Sequence, residues 1–280
     1  MANCPEVDPL LCATTGIPEH WHDQAITWLR VDALLSAGLG KGWAVAAGLP
    51  FDVRAITVDY TRDGEPYTPP YDDIHHRDEV LLGPVDGSLW LKRTWMAGSV
   101  VLTPSVGSSL PIGHTEADPF ALTEEGKKHQ HMQFGTGTFD PLVSVDAVVR
   151  AGRFGALATA SSRLPIQEGA NGYRAPRTVA VSVGPTFAAT PKVYTWLLAE
   201  GAYEGEELWH GEAYGGRASV SASAGALYSV NHDLSLQLTA RVPVWEAVHH
   251  TDEDASVSQP LSVAAGVSWA FGKRAVEEGE

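Results

Sequence analysis

The sequence predicts an all-β chain, a transmembrane antiparallel up-and-down β-barrel of about 12 strands with short periplasmic turns and long extracellular loops. Three observations carry that reading. In the stretch 261–272, LSVAAGVSWAFG, the residues Leu261, Val263, Ala265, Val267, Trp269 and Phe271 alternate with small ones. A period of two puts all six on one face of a strand, and the closing aromatic pair suits the girdle where lipid meets water. The same alternation then recurs along the chain in segments joined by turns, the pattern of barrel strands. Finally, the opposite faces are built from small and polar residues rather than from the Lys and Glu of a water-facing surface.

Eleven segments carry the alternation. The first, 25–37, sets Leu29, Val31, Ala33 and Leu35 against Arg30, Asp32 and Ser36. After the glycine-rich turn 38–42, the second sets Trp43, Val45, Ala47, Leu49 and Phe51 against Ala44, Ala46, Gly48 and Asp52. Hairpins follow at 85–95 with 100–112, 139–149 with 156–166, 178–188 with 194–204, and 218–229 with 234–245, and the segment 261–272 closes the series. Tight turns alternate with long polar connections at about 57–83, 113–137, 167–177, 205–217 and 248–260. In outer-membrane barrels the short turns are periplasmic, so the last strand descends and the C-terminus is periplasmic. By the same rule the first counted strand also descends, which leaves an odd number where bacterial barrels have an even one. A twelfth, poorly patterned strand inside 5–22 repairs the count; a ten-stranded barrel that drops one segment is the alternative. The expected organisation is an N-terminal segment 1–23 that supplies an extra strand or a plug, the barrel over 24–272, and a periplasmic tail 273–280.

Composition agrees and excludes other classes. The 280 residues are 44% hydrophobic and 19% charged, yet no run approaches the roughly 18 apolar residues that a spanning helix needs. A formal charge of −15 argues against a nucleic-acid partner, which calls for clustered Lys and Arg. A soluble barrel with an apolar lumen would share the alternation, but Ser219, Ser221, Ser223 and Gly225 on one strand and Thr178, Ser182 and Gly184 on another suit a crowded lumen. The only cysteines, Cys4 and Cys12, read as a local disulfide formed in an oxidising compartment. The first residues lack a basic and apolar leader, so the expectation is a mature chain whose signal peptide has been removed.

Candidate functional residues follow from the inward face. Its charges and aromatics, Trp28, Arg30, Asp32, Trp90, Lys92, Asp140, Asp146, Arg163, Glu200 and Arg241, either line a constriction or brace the lumen as ion pairs. Four prolines, Pro50, Pro111, Pro165 and Pro243, recur after an apolar residue at the end of an ascending strand, all on the inward face. Proline cannot donate to a ladder, so they mark where pairing loosens near the outer rim: simple strand ends, or a wall that opens sideways toward lipid. Histidine is abundant off the strands, and His75, His76, His129, His131, His249 and His250 could converge over the mouth as zinc or copper ligands. Solvated loop histidines are the simpler reading, because no closed metal-site spacing is present. Asp72, Asp73, Glu116, Asp118, Asp252 and Asp254 could hold calcium or bridge lipopolysaccharide through divalent ions. No cofactor is required. The chain has no GxSxG elbow, HExxH or phosphate-cradling loop, so an outer-membrane hydrolase is a minor reading and no catalytic residue is assigned.

Three segments add a resemblance. GKGWAVAAGLPFDVR (40–54), VDGSLWLKRTW with VVLTPSVGSSLPIG (85–113) and HMQFGTGTFDPLVSV (131–145) resemble outer-membrane transporters grouped with the phenol-degradation meta-pathway proteins, over most of the chain from about residue 24. The resemblance implies a passive channel in the outer membrane of a Gram-negative bacterium, for a small, often aromatic or hydrophobic solute that leaves to the periplasm or through the wall. The closing strand is also similar to the signal read by the barrel-assembly machinery, with Gly266, Trp269 and Phe271 on its glycine and aromatic positions. It departs in having Ala264 at a usually polar position and nine residues after Phe271. The competing expectation is a plugged barrel whose histidine- and acid-rich loops bind metal ions or a surface partner.

Overall fold

The structure, a computed structural model, describes residues 2–3, 18, 20–70, 76–249 and 258–271. Its wall is one antiparallel sheet of 15 strand segments, each main strand pairing with the next in the chain. The labelled strands are β1 (His20–Gly40), β2 (Trp43–Arg62), β3 (Glu79–Pro84), β4 (Gly87–Arg93), β5 (Val100–Leu110), β6 (Pro141–Ala151), β7 (Phe154–Arg163), β8 (Thr178–Thr190), β9 (Val193–Glu204), β10 (Arg217–Ser229), β11 (Leu234–Val248) and β12 (Ser262–Trp269). The pair Ala2–Asn3 adds to the free edge of β1. Each of the eleven expected segments has its strand here, so the reading that discards one is not followed. Cys4, Cys12 and most of the segment 5–22 expected to hold a further strand lie outside the described residues, and its last three residues open β1. Among the described residues the path has two ends, with no ladder joining β12 to β1.

Alternation fixes which side of the sheet each residue takes. Val106, Val145, Val183, Leu197, Val220, Val242 and Val267 stand on the outer face, all exposed. Ser105, Ser109, Thr186, Ser219, Ser221 and Ser223 on the inner face are buried. Such an arrangement suits a lipid exterior: each large exposed apolar side chain would cost free energy in water and none in hydrocarbon. The register also aligns the aromatics. Trp43, Trp95, Phe154, Tyr228, Trp269 and Phe271 are exposed beside the tight turns, while Phe139, Tyr203 and Trp245 mark the other end. Along β11 the two belts are eleven residues apart, from Leu234, which pairs with Trp269, to Trp245. That is about 36 Å of strand, or about 25 Å of height at the tilt usual for such barrels, the height of a lipid-facing band.

Several strands run further than the apolar pattern predicts. Residues 57–62, expected in a long connection, continue β2, and the chain turns back to pair with it at Glu65–Pro66 and again from Glu79. At about 3.3 Å per residue, the 21 residues of β1 extend about 70 Å, far more than a bilayer needs. Hairpin β1–β2 therefore stands well clear of the lipid band, where pairing continues without an apolar face to reveal it.

The prolines are corrected in the same way. Pro111 and Pro165 fall just past β5 and β7, but Pro50 and Pro243 lie within β2 and β11. Both interior prolines sit at irregularities that absorb the missing N–H. At Pro50 the partner strand breaks between β3 and β4 with a one-residue change of register, and its carbonyl accepts from Val85 N at 3.0 Å. At Pro243 a bulge separates Val220 from Ser221 in the opposite strand's register.

Candidate functional site: an arginine-lined cavity beneath a loop cap

Three of the long connections fold together at one end of the wall. Tyr173–Arg174, Glu207–Trp209 and Glu212–Tyr214 make a separate three-stranded sheet. Tyr173, Ala175 and Trp209 form its buried core, with Phe120 and Tyr214 packed against it. Phe120 belongs to a short helix, α1 (Pro119–Glu124), whose start is fixed by the Asp118 carboxylate accepting from Phe120 N at 2.9 Å. Gly172 lies flat against the His210 ring, where a Cβ would come within 2.2 Å, and has a φ of 76° that disfavours other residues. Inside this cap the Glu207 carboxyl is pushed above its ordinary range, first by burial and then by the nearby Glu204 charge, against the opposing hydrogen bonds from Trp209 and Tyr173. Tyr173 donates to Glu207 Oε2 at 3.2 Å, and burial raises its hydroxyl pKa as well.

Below the cap, residues 133–138 bend into the barrel and complete a polar network with the inner face. Arg30 Nε donates to Asp52 Oδ1 at 2.7 Å and its Nη2 to Oδ2 at 3.0 Å, while Arg54 Nη2 donates to the same Oδ2 at 2.8 Å. Asp52 is fully buried, and the two guanidiniums compensate it. Arg54 also donates to the Gln133 carbonyl at 3.0 Å and lies 4.3 Å from the Phe134 ring centre and 4.7 Å from that of Trp28. Opposite it, Asp86 accepts from Thr136 N at 2.7 Å, Thr136 Oγ1 at 2.8 Å and Gly113 N at 3.1 Å. This clamp holds two backbones so close that a Cβ on Gly135 would come within 2.5 Å of the Gly113 carbonyl. Asp140, fully buried, accepts from Thr138 Oγ1 at 2.7 Å and keeps Oδ2 unpartnered among the described residues.

These groups surround a cavity of about 360 Å³. Its wall includes Arg30, Arg54 and Arg163, Asp86, and the apolar residues Val85, Phe134 and Leu142. A second cavity, of about 520 Å³, lies near the tight-turn end where β12 approaches β1, between Trp90 and Lys92 on one side and Trp269 and Phe271 on the other.

The ten lumen residues expected from the sequence thus do not form one ring. Trp28, Arg30, Asp140 and Arg163 gather at the upper cavity or directly behind it, and Asp32 pairs with Pro50 in register. Glu200 makes an ion pair with Arg241 at 3.1 Å and shares a register row with Ser182, Thr159 and Asp146. Trp90 and Lys92 belong to the second cavity. Of the histidines, His75 and His250 lie outside the described residues. His129 and His131 stand together with rings 5.1 Å apart, His76 sits 4.0 Å from His22, and His249 faces Tyr203. The His129 ring lies 2.9 Å from the Lys127 carbonyl and 3.2 Å from Thr123 Oγ1. Among the described residues no three His, Cys, Asp or Glu side chains come close enough to hold a metal ion. Sequence reasoning missed Arg54, Asp86 and the 133–138 segment. Arg54 shares the inward parity of Asp52 and could have been found that way; Asp86 and Thr136 lie off the strands, where parity gives no signal.

The fold and this inner face define a transmembrane β-barrel of the outer-membrane type. Its architecture is similar to an outer membrane channel of Pseudomonas putida F1, with 13% identity over 83% of this chain and 80% of that one and a TM-score of 0.53. OmpT, an outer membrane protein of Vibrio cholerae, aligns more loosely, at 9% identity over 89% of this chain and 97% of that one with a TM-score of 0.41. No protein-family model matches the chain, and neither does any curated protein.

Proposed function

We propose that the chain is an outer-membrane channel through which a small organic solute crosses passively, related to the phenol-degradation meta-pathway transporters that its sequence resembles. In this reading the capped end faces outward, the tight turns and C-terminus face the periplasm, and no covalent chemistry takes place. The observation that carries it is the inner wall, where buried Ser105, Ser109, Thr186, Ser219, Ser221 and Ser223 present hydroxyls to the interior while the outer face is Val and Leu. A purely structural filling would favour apolar side chains there, because each buried hydroxyl without a partner costs about 1–3 kcal/mol. Ser105 Oγ, Thr186 Oγ1 and Ser221 Oγ are shielded from solvent and have no partner among the described residues, polar sites that a packed structural core would avoid. The channel fold of the Pseudomonas putida protein adds support.

The test is reconstitution of the folded protein into planar bilayers. Discrete conductance steps are expected. Protein whose gel mobility shifts on heating, as folded barrels do, yet passes no current overturns the reading in favour of a plugged barrel.

A further inference from the structure

We propose that the upper cavity is a binding station for a small monocarboxylate, its carboxylate held by Arg163 and Arg54 and its apolar body resting on Phe134 and Leu142. This deepens the channel reading by naming the solute class. The first ground is the balance of donors and acceptors. Three arginines line the cavity against one acidic residue, and that residue, Asp86, already accepts three hydrogen bonds. Asp52 is fully buried and engaged by Arg30 and Arg54, and Asp140 is fully buried behind Ser109; neither lines the space. Arg54 already donates from all three nitrogens, to Asp52 and to the Gln133 carbonyl, so the unengaged N–H groups of the wall are chiefly those of Arg163.

Arg163 is the second ground. It stands at the capped end of β7, lines the cavity, and has neither an ion-pair nor a hydrogen-bond partner among the described residues, with Nε fully shielded from solvent. A guanidinium so placed calls for an anionic acceptor, and its fork matches a carboxylate in two parallel hydrogen bonds. The third ground is the remainder of the lining. Val85, Leu142, Phe134 and Pro50 add apolar surface to the lining, which an inorganic anion would leave unmatched but a hydrocarbon body would cover. The volume of about 360 Å³ sits at the lower end for organic ligands, with room for one single-ring or short-chain acid.

The experiment is calorimetric titration of the full-length protein in detergent with benzoate, with benzyl alcohol as its uncharged analogue, and with inorganic phosphate. Benzoate is expected to bind at least about tenfold more tightly than benzyl alcohol, the effect of one charge-assisted pair. Arg163→Gln is expected to weaken benzoate about tenfold and leave the alcohol unchanged, with Arg163→Lys in between because it keeps the charge and loses the fork. Equal affinity of the wild type for acid and alcohol overturns the proposal, as does phosphate binding as tight as benzoate or an Arg163→Gln protein that binds benzoate like the wild type. Because binding is read without current, a silent bilayer recording counts against the channel alone. A conducting protein indifferent to the carboxylate counts against this inference alone.

Discussion

The wall and the cap of this molecule are held together by different forces. The wall has hardly any conventional core: its large apolar side chains point outward, its inner face is hydroxyls and ion pairs, and its cohesion comes from continuous ladders such as the nineteen paired positions of β1 with β2. The cap has short ladders of two or three residues and a buried aromatic cluster of Tyr173 and Trp209 with Phe120 and Tyr214 against it. One region is stable in lipid because its backbone is satisfied internally; the other is stable in water because it buries rings. A substitution should therefore damage one region by a mechanism to which the other is indifferent.

The largest effect is expected in the cap. Trp209 is 3% exposed at the centre of the aromatic cluster, and Trp209→Ala should cost about 3–5 kcal/mol locally. Limited proteolysis should then cut within 205–216 while the heat-dependent gel shift of the barrel is unchanged; loss of both together would mean that cap and wall fold as one unit. Next is a pair of neighbouring positions in the wall. Val183 points outward and Ser182 inward, its Oγ 2.6 Å from Thr159 Oγ1. Val183→Arg should destabilise the barrel in urea titration from lipid vesicles by about 2–4 kcal/mol, the cost of a cation in the lipid band. Ser182→Arg should cost clearly less, since an inward cation keeps access to water and to Glu200, which Ser182 faces in register. Equal penalties would refute the assignment of faces.

The smallest effect is a dependence on pH confined to the cap. The folded Glu207 carboxyl titrates above its ordinary value of 4.5. Its contribution is therefore fully present below that value and is lost as pH rises through the folded pKa, since burial favours the neutral form. Protease resistance of 205–216 should be greatest in mild acid and fall toward neutral pH, and Glu207→Gln should flatten that slope. A slope of opposite sign, or one unchanged in the Gln variant, would remove Glu207 as the cause.

What the sequence disclosed follows the same division. Lipid imposes a strict apolar alternation, so segments such as 178–188 and 218–229 are legible almost to their ends, and the inward positions of Arg30, Arg163, Glu200 and Arg241 follow from parity alone. Where a strand leaves the lipid, the constraint lapses: β2 runs on through Thr57, Asp59 and Thr61 with its ladder intact and its apolar signature gone. The cap is less legible still, because Phe120, Tyr173, Trp209 and Tyr214 come from three connections with no shared period. The site inherits both limits. Its arginines are on strands, where parity marked Arg30 and Arg163 and would equally have marked the missed Arg54, while Asp86, Gln133 and Thr136, which complete its wall, sit on stretches whose course is set by tertiary contacts.

The unequal lengths of β1 and β12 have a bearing on how the molecule meets its surroundings. These strands, of 21 and 8 residues, stand at opposite ends of the sheet path and approach one another around Leu34, Leu35 and Trp269. One therefore outruns the other by roughly 40 Å of strand. Among the described strands the reach is thus uneven, longest at the first hairpin and shortest at the closing strand. Among the described residues, the first hairpin is the part of the wall that reaches furthest beyond the lipid band and so meets the surroundings first.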